Sequence, residues 1–284
     1  MKFLKMHGIG NDFIVIENIP ETYDTDALGK ISRVLCHRNF GIGSDGLIVI
    51  MKSPKADFRM RMMNPDGSEA QMCGNGIRVF AKYVYDEGLT DKTYISVDTM
   101  AGIKYLDLTV ENGRVTLVKV DMGEPILRRS LIPMAGEDSD TVIAQPLEAG
   151  GKTLSVTAVS MGNPHCISFW DKLDGDTVKT LGPVIENHPM FPERTNVEFI
   201  RVISRSEIEM RVWERGAAET MACGTGACAS AVACMLNGYT DEKVTVHLRG
   251  GDLIIERTPE NRIMMTGPAV TVCSGETDVE TLKI

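Results

Sequence analysis

Asn64-Pro-Asp-Gly-Ser-Glu-Ala-Gln-Met-Cys73-Gly-Asn-Gly-Ile-Arg78 and Glu214-Arg-Gly-Ala-Ala-Glu-Thr-Met-Ala-Cys223-Gly-Thr-Gly-Ala-Cys228 are two versions of one local design. In each, a loop with glycine and carboxylates leads to a cysteine, and Gly-X-Gly then opens a helix-like run. Each cysteine stands nine residues after the start of its copy, and a glycine closes each run fifteen residues later, at Gly88 and Gly238. The two cysteines are 150 residues apart (223 − 73), about half the chain. This spacing points to a duplicated unit that brings two thiols to one place.

Outward from each cysteine the patterns repeat. After Cys73, Ile77, Phe80, Ala81 and Val84 fall at helical spacing, which predicts a helix over 74–87 with Gly88 as its C-cap. After Cys223, the run Ala227–Leu236 is small and apolar on nearly every side and predicts a helix buried all round. Upstream, 24–37 and 176–187 read as helices, and Asp57–Met63 and Ser206–Trp213 as strands delivering the two polar loops. Gly10-Asn11 and Gly162-Asn163 are glycine turns feeding strands in corresponding places. Downstream, 93–97, 103–110 and 114–120 match 244–248, 252–257 and 262–266 as closing strands, with Glu111-Asn-Gly as a hairpin turn. The stretch 121–150, rich in Asp, Glu, Pro and Gly, places a domain boundary near 120. A period of about 150 residues is too long for a solenoid, so two similar lobes, each a helix enclosed by strands, fit better.

Composition excludes several classes. With 284 residues, 43% apolar and 24% charged, the chain supports one large domain or two ordinary ones. A net charge of −9 with scattered Lys and Arg argues against nucleic acid as a partner. The N-terminus lacks an apolar signal region and no apolar run is long enough to span a bilayer, so a cytoplasmic protein with no membrane partner is expected. There the seven cysteines are expected to be reduced. No C-x-x-C pair occurs, and Cys223 and Cys228 have no second pair to complete a zinc site, so no metal is expected. Cys36, Cys166, Cys228, Cys234 and Cys273 read as buried filler.

Cys73 and Cys223 read differently. A cysteine at a helix start lies at the positive end of the helix dipole, which lowers its pKa from about 8.5. The glycines after it let backbone N–H groups approach an anion. One such motif could be no more than a helix cap with a buried thiol. Two in duplicated context offer two bases and two sets of oxyanion donors. That suits inversion at carbon, where one base takes a proton from one face and a second returns one to the other. Negative charge then builds on a neighbouring carboxylate, where helix-start N–H groups stabilise it. A disulfide between the two thiols is not expected as a resting state in a reducing compartment.

These residues resemble the diaminopimelate epimerase family. The resemblance covers essentially the whole chain and rests on Met6-His-Gly-Ile-Gly-Asn-Asp-Phe, Asn64-Pro-Asp-Gly-Ser, Met72-Cys-Gly-Asn-Gly-Ile-Arg, Gly162-Asn-Pro-His, Arg194-Thr-Asn-Val-Glu, Glu214-Arg-Gly and Ala222-Cys-Gly-Thr-Gly. It implies an α+β (two-lobed α/β) fold of two pseudo-symmetric lobes, each a mostly antiparallel sheet wrapped around a central helix. The lobes would be 1–120 with Cys73 and 121–268 with Cys223, the C-terminal strand 269–284 returning to the first, and the substrate in the cleft between them. It implies interconversion of LL- and meso-2,6-diaminopimelate on the route to lysine and peptidoglycan, without pyridoxal phosphate or other cofactor and without metal, by a homodimer. Cys73 and Cys223 would be the acid/base thiols. The backbone at Gly74-Asn75 and Gly224-Thr225 would hold the reacting carboxylate. Glu214 would meet the reacting amino group and, with His165, set the thiol protonation states. Asn11, Asn64, Asn163, Asn196 and Arg215 would hold the rest of the substrate, the guanidinium gripping a carboxylate by two bonds. The chain departs from some members, which carry a glutamine where it has Asp45-Gly46. A contact from that position is expected to be lost or replaced.

Three other readings fit less well. Proline racemase-like and hydroxyproline epimerase-like enzymes share the fold and paired thiols, but a histidine usually follows their first Cys-Gly and an Asp-x-Ser-Pro leads into the second. Here those places hold Asn75 and Glu214-Arg-Gly. A nucleotide-binding protein would need an intact phosphate-loop motif, and a thiol redox protein a C-x-x-C.

Overall fold

Strands dominate the computed structural model, which describes residues 1–20 and 22–278. The chain divides into two units, one of residues 1–120 together with the stretch from Gly267, the other of Asp121–Thr266. In the first unit the order is β1 (Lys2–Gly8), β2 (Asn11–Ile16), α1 (Thr25–Cys36), β3 (Gly46–Met51), β4 (Phe58–Met63), β5 (Glu69–Ala70), α2 (Gly74–Asp86), β6 (Tyr94–Thr99), β7 (Gly102–Glu111) and β8 (Arg114–Asp121). The second unit holds β9 (Val142–Ala149), β10 (Lys152–Ser160), β11 (Pro164–Phe169), α3 (Gly175–Glu186), β12 (Asn196–Ser204), β13 (Glu207–Glu214), β14 (Ala218–Glu219), α4 (Gly224–Leu236), β15 (Lys243–Leu248), β16 (Gly251–Arg257) and β17 (Ile263–Gly267). A last strand, β18 (Val270–Glu276), lies antiparallel to β1 in the first unit. Residues 279–284 of the expected returning strand lie outside the described residues.

Connectivity is the same in both units. Strand β18 pairs β1 and β1 pairs β2, as β9 pairs β10 and β10 pairs β11, all antiparallel. A crossover through α1 makes β2 and β3 parallel, and a crossover through α3 does the same for β11 and β12. A second crossover, through α2 or α4, makes β4 parallel to β6 and β13 parallel to β15. The remaining pairings described within each unit are antiparallel. The unit in sequence is thus a unit in topology, except that the first borrows its flanking strand from the end of the chain.

The helices divide into central and covering. Helix α2 packs on β1, β2, β3, β4 and β7, and α4 on β10, β11, β12, β13, β15 and β16. Ile77, Phe80, Ala81 and Val84 are wholly buried, as is α4 from Ala227 to Cys234. Helix α1 lays Leu28, Ile31 and Leu35 against Ile14, Leu47 and Met63, while α3 lays Val178, Leu181 and Ile185 against Val197 and Phe199. Each such side chain contributes about 1.5–3 kcal/mol by burial.

Three findings depart from the sequence reading. Strands β1, β9 and β10 are present where no strand was assigned. Strand β9 carries Gln145-Pro146 and Glu148 outward and buries only Val142, Leu147 and Ala149, so its alternation is broken. Arg78 is fully buried on α2, bonding Gly74 O at 3.0 Å, Asn75 Oδ1 at 3.1 Å and Pro268 O at 3.3 Å. It joins the returning C-terminal stretch to the first turn of the central helix. Finally, Cys36, Cys166, Cys228 and Cys234 are buried but Cys273 is exposed, because β18 lies open along nearly its whole length.

Candidate active site

Both thiols are helix caps. Cys73 and Cys223 are the N-cap residues of α2 and α4, with extended backbone, and each Sγ accepts the N–H three residues on, from Gly76 and Gly226, at 3.4 Å. At the second site the glycine leaves room for Glu198, since a Cβ on Gly226 would stand 2.7 Å from Glu198 Oε1. The loop before each cap is folded back by the same ion pair. Arg61 on β4 meets Glu69 on β5 at 2.6 Å, and Arg211 on β13 meets Glu219 on β14 at 2.5 Å. The sheet supplies the base of each loop and the buried pair fixes its return.

Around Cys73 the company is amide. Gly10 turns with φ +89° and starts β2 at Asn11. Asn11 Oδ1 accepts from Asn75 Nδ2 at 3.1 Å and lies 3.7 Å from Cys73 Sγ. Asn11 Nδ2 donates to Asp45 Oδ2 at 2.8 Å, and Arg38 holds the other oxygen of Asp45 at 2.6 Å. Asp45, beside the Gly46 at which a lost or replaced contact was expected, thus anchors Asn11. Asn64 lies on the loop after β4, its Nδ2 on Ser68 Oγ at 2.9 Å, with Ser68 held by Asp66 at 2.6 Å. The helix start leaves the first N–H groups of α2 without acceptors inside the helix.

Around Cys223 the company is acidic. Glu214 accepts from Thr220 Oγ1, and its carboxylate bears electrostatically on the Cys223 thiol. Thr225 Oγ1 lies 3.5 Å from the same sulfur. Gly162 turns with φ +97°, placing Asn163 before β11. His165, fully buried on β11, has Nδ1 2.7 Å from Glu198 Oε1 and Nε2 3.1 Å from Asn163 Oδ1. Parallel pairing sets His165 beside Asn196. Asn196 donates to Pro164 O at 2.9 Å and accepts from Arg215 N at 3.0 Å. Arg215 reaches Glu193 O at 3.0 Å, and Glu186 takes Gly216 N at 2.9 Å and Trp213 Nε1 at 2.8 Å.

Electrostatics correct one expectation. The helix start was read as lowering each thiol's pKa. At Cys223 burial, followed by the carboxylates Glu214 and Glu198, pushes the thiol well above its usual value, outweighing the Gly226 N–H. Burial likewise raises the Glu214 carboxyl. Burial thus works against the ionised form of both groups. His165, expected to act with Glu214, gives its two ring nitrogens to Glu198 and Asn163.

The first unit brings Asn11, Cys73, Gly74 and Asn75 together, with Asn64 on the preceding loop; the second gathers Asn163, His165, Asn196, Glu214, Arg215, Cys223, Gly224 and Thr225. Sequence reading missed Asp45, Glu186 and Glu198. The last had a signal, a glutamate inside the apolar run Val197-Glu-Phe-Ile. Among the described residues no cluster of three His, Cys, Asp or Glu is arranged to hold a metal ion, and no helix is long and apolar enough to cross a membrane.

A family model described as diaminopimelate epimerase matches residues 3–127 and 157–272. A diaminopimelate epimerase of Agathobacter rectalis is 57% identical over 98% of this chain and 100% of its own length. One of Pelotomaculum thermopropionicum is 55% identical over 97% of this chain and 98% of its own. Among solved structures, a probable proline racemase of Agrobacterium radiobacter superposes with a TM-score of 0.71, covering 98% of this chain and 92% of its own at 14% identity. That last likeness is one of fold alone. The chain belongs to the diaminopimelate epimerase family.

Proposed function

We propose that this chain epimerises LL-2,6-diaminopimelate to meso-2,6-diaminopimelate, in lysine and peptidoglycan precursor biosynthesis. The observation that carries the reading is the end-to-end match at 57% identity to a diaminopimelate epimerase. The paired thiol caps supply chemistry that fits it. One thiol takes the α-proton as thiolate, and the other returns a proton to the opposite face of the carbon. The electron pair left on the α-carbon spreads into the adjacent carboxylate, and the first-turn N–H groups at Gly74-Asn75 and Gly224-Thr225 stabilise that charge. In the resting protein Cys223 carries its proton, since burial and two carboxylates oppose its ionisation. Cys73, half-buried beside Asn11, is the second thiol of the pair. Glu214 meets the reacting amino group. Asn11, Asn64, Asn163, Asn196 and Arg215 hold the remaining polar groups of the substrate. The same family resemblance supports a cytoplasmic homodimer working without pyridoxal phosphate or metal.

The test is incubation with LL-diaminopimelate in D2O, with reductant and no added cofactor, followed by NMR and chiral chromatography. Meso product with deuterium at one α-carbon is the expected result. Exchange with proline or hydroxyproline but none with diaminopimelate would overturn the substrate assignment. No exchange with any of them would overturn the proton-transfer reading.

A further inference from the structure

Glu198 is an acidic residue where the strand calls for an apolar one. It stands on β12 between Val197 and Phe199, and all three are fully buried. Its Oε1 takes His165 Nδ1 at 2.7 Å, while its Oε2 has no hydrogen-bond partner. Burying a carboxylate with half of its acceptors unmet costs several kcal/mol. The fold does not demand that cost. In the first unit the equivalent register places are taken by Phe13 and Ile48, both wholly buried apolar side chains. The His–Glu pair is thus confined to the unit that carries Cys223.

Its location suggests what it does. A Cβ built on Gly226 would stand 2.7 Å from Glu198 Oε1 and 3.2 Å from Cys223 Sγ, so carboxylate and thiol flank one glycine in the first turn of α4. The partial positive charge of that helix start offsets the carboxylate, and the missing side chain lets it approach. The titratable groups facing it are His165 and Cys166 from β11, Glu214 from β13 and Cys223 from α4. On its far side the His165 ring reaches Asn163 Oδ1 at 3.1 Å, which links the thiol's surroundings to a proposed substrate contact.

We infer that Glu198 is a positioning residue for Cys223, holding the His165 ring against Asn163 and keeping at the head of α4 a negative charge that favours the protonated thiol. This assignment rests on the two-thiol reading for its place in catalysis, but its electrostatic part can be tested without substrate.

The experiment is pH-dependent alkylation of the intact chain by iodoacetamide, with Cys223 and Cys73 followed separately by peptide mass spectrometry. A midpoint reports ionisation and is insensitive to how easily the reagent reaches the sulfur. In Glu198→Gln the Cys223 midpoint is expected to fall by about one pH unit, a tenfold change in thiolate fraction, while that of Cys73 stays put. In the same variant kcat is expected to fall at least ~10-fold with KM within ~3-fold, a loss specific to the chemical step. His165→Gln weakens the one hydrogen bond that holds the buried carboxylate ionised, so Glu198 protonates more readily and the Cys223 midpoint is expected to fall. If Glu198→Gln does not fold, His165→Gln decides alone. A Cys223 midpoint that stays put, or moves the opposite way, overturns the assignment. If wild type shows no epimerisation, the functional reading fails while the alkylation result still decides the role of Glu198.

Discussion

Cys73 and Cys223 cap equivalent helices through equivalent bonds, yet one sits among amides and the other among carboxylates. Position for position, Asn64 stands where the second copy has Glu214, Ile48 where it has Glu198, and Phe13 where it has His165. What is common to both units builds the site: the sheet, the central helix, the Arg–Glu pair behind the loop and the glycine turn. What differs is charge. The two-base inversion proposed above would need its bases in opposite protonation states, and duplication alone would give two identical thiols. The loops and the strands beneath them differ between the units, and under that proposal this difference would set the two thiols apart.

The comparison breaks most sharply on the sulfurs. Cys73→Ala and Cys223→Ala are each expected to lower epimerisation by at least ~10³-fold, with unchanged circular dichroism and melting. Near wild-type turnover in either would mean that one thiol suffices. Next in size is an exchange at the differing loop position. Glu214→Gln should lower kcat by about 10²-fold through the loss of an acid/base partner and bring the Cys223 alkylation midpoint down. Asn64→Ala, at the matching place, should act mainly on KM. Equal effects on kcat would erase the distinction between the loops.

A backbone probe sharpens the structural side. A Cβ on Gly29 of α1 would lie 2.6 Å from the Gly67 carbonyl of the first polar loop. Gly29→Ala is therefore expected to cost about 1–3 kcal/mol by overpacking and to raise KM as the loop is displaced. Chemical denaturation and steady-state kinetics on the same sample check both. Unchanged stability would show that the loop yields freely.

The smallest effect concerns acid. Burial alone would raise the Asp12 carboxyl, but Arg38, Lys5 and Asp45 overcome it and hold it at about 2, against 3.8 ordinarily. Its matching position in the second unit is Pro164, which has no charge to lose. A carboxyl depressed in the folded state stabilises above its unfolded pKa, and that stabilisation fades as pH falls from about 4 toward 2. After solvent screening the contribution is on the order of 1 kcal/mol. Wild type should exceed Asp12→Asn in urea midpoint at pH 6, and the gap should narrow by pH 3 and close near pH 2. A gap independent of pH would assign the effect to packing.

Much of the fold was legible because its causes are local. Helical spacing marked Ile77, Phe80, Ala81 and Val84, the small apolar run marked α4, and the glycines at 88 and 238 take up the left-handed backbone that ends each helix. Strands β9 and β10 were not legible, since partners distant in the chain hold a sequence interrupted by Gln145, Pro146 and Glu148. The burial of Arg78 has no local sign either, since its partner Pro268 comes from 190 positions away.

For the site, the sequence alone determined which groups could act: two cysteines before Gly-X-Gly, the acidic loop at Glu214, and the asparagines and histidine that begin the strands. These follow from spacing, which covalent geometry carries directly into turns and helix starts. Tertiary structure alone decided the electrostatics of Cys223 and Glu214. Ionisation depends on burial and on charges within a few ångströms, and those neighbours come from other strands. Hence a helix start that should activate Cys223 is outweighed by burial and then by Glu214 from β13 and Glu198 from β12, neighbours no local pattern could specify.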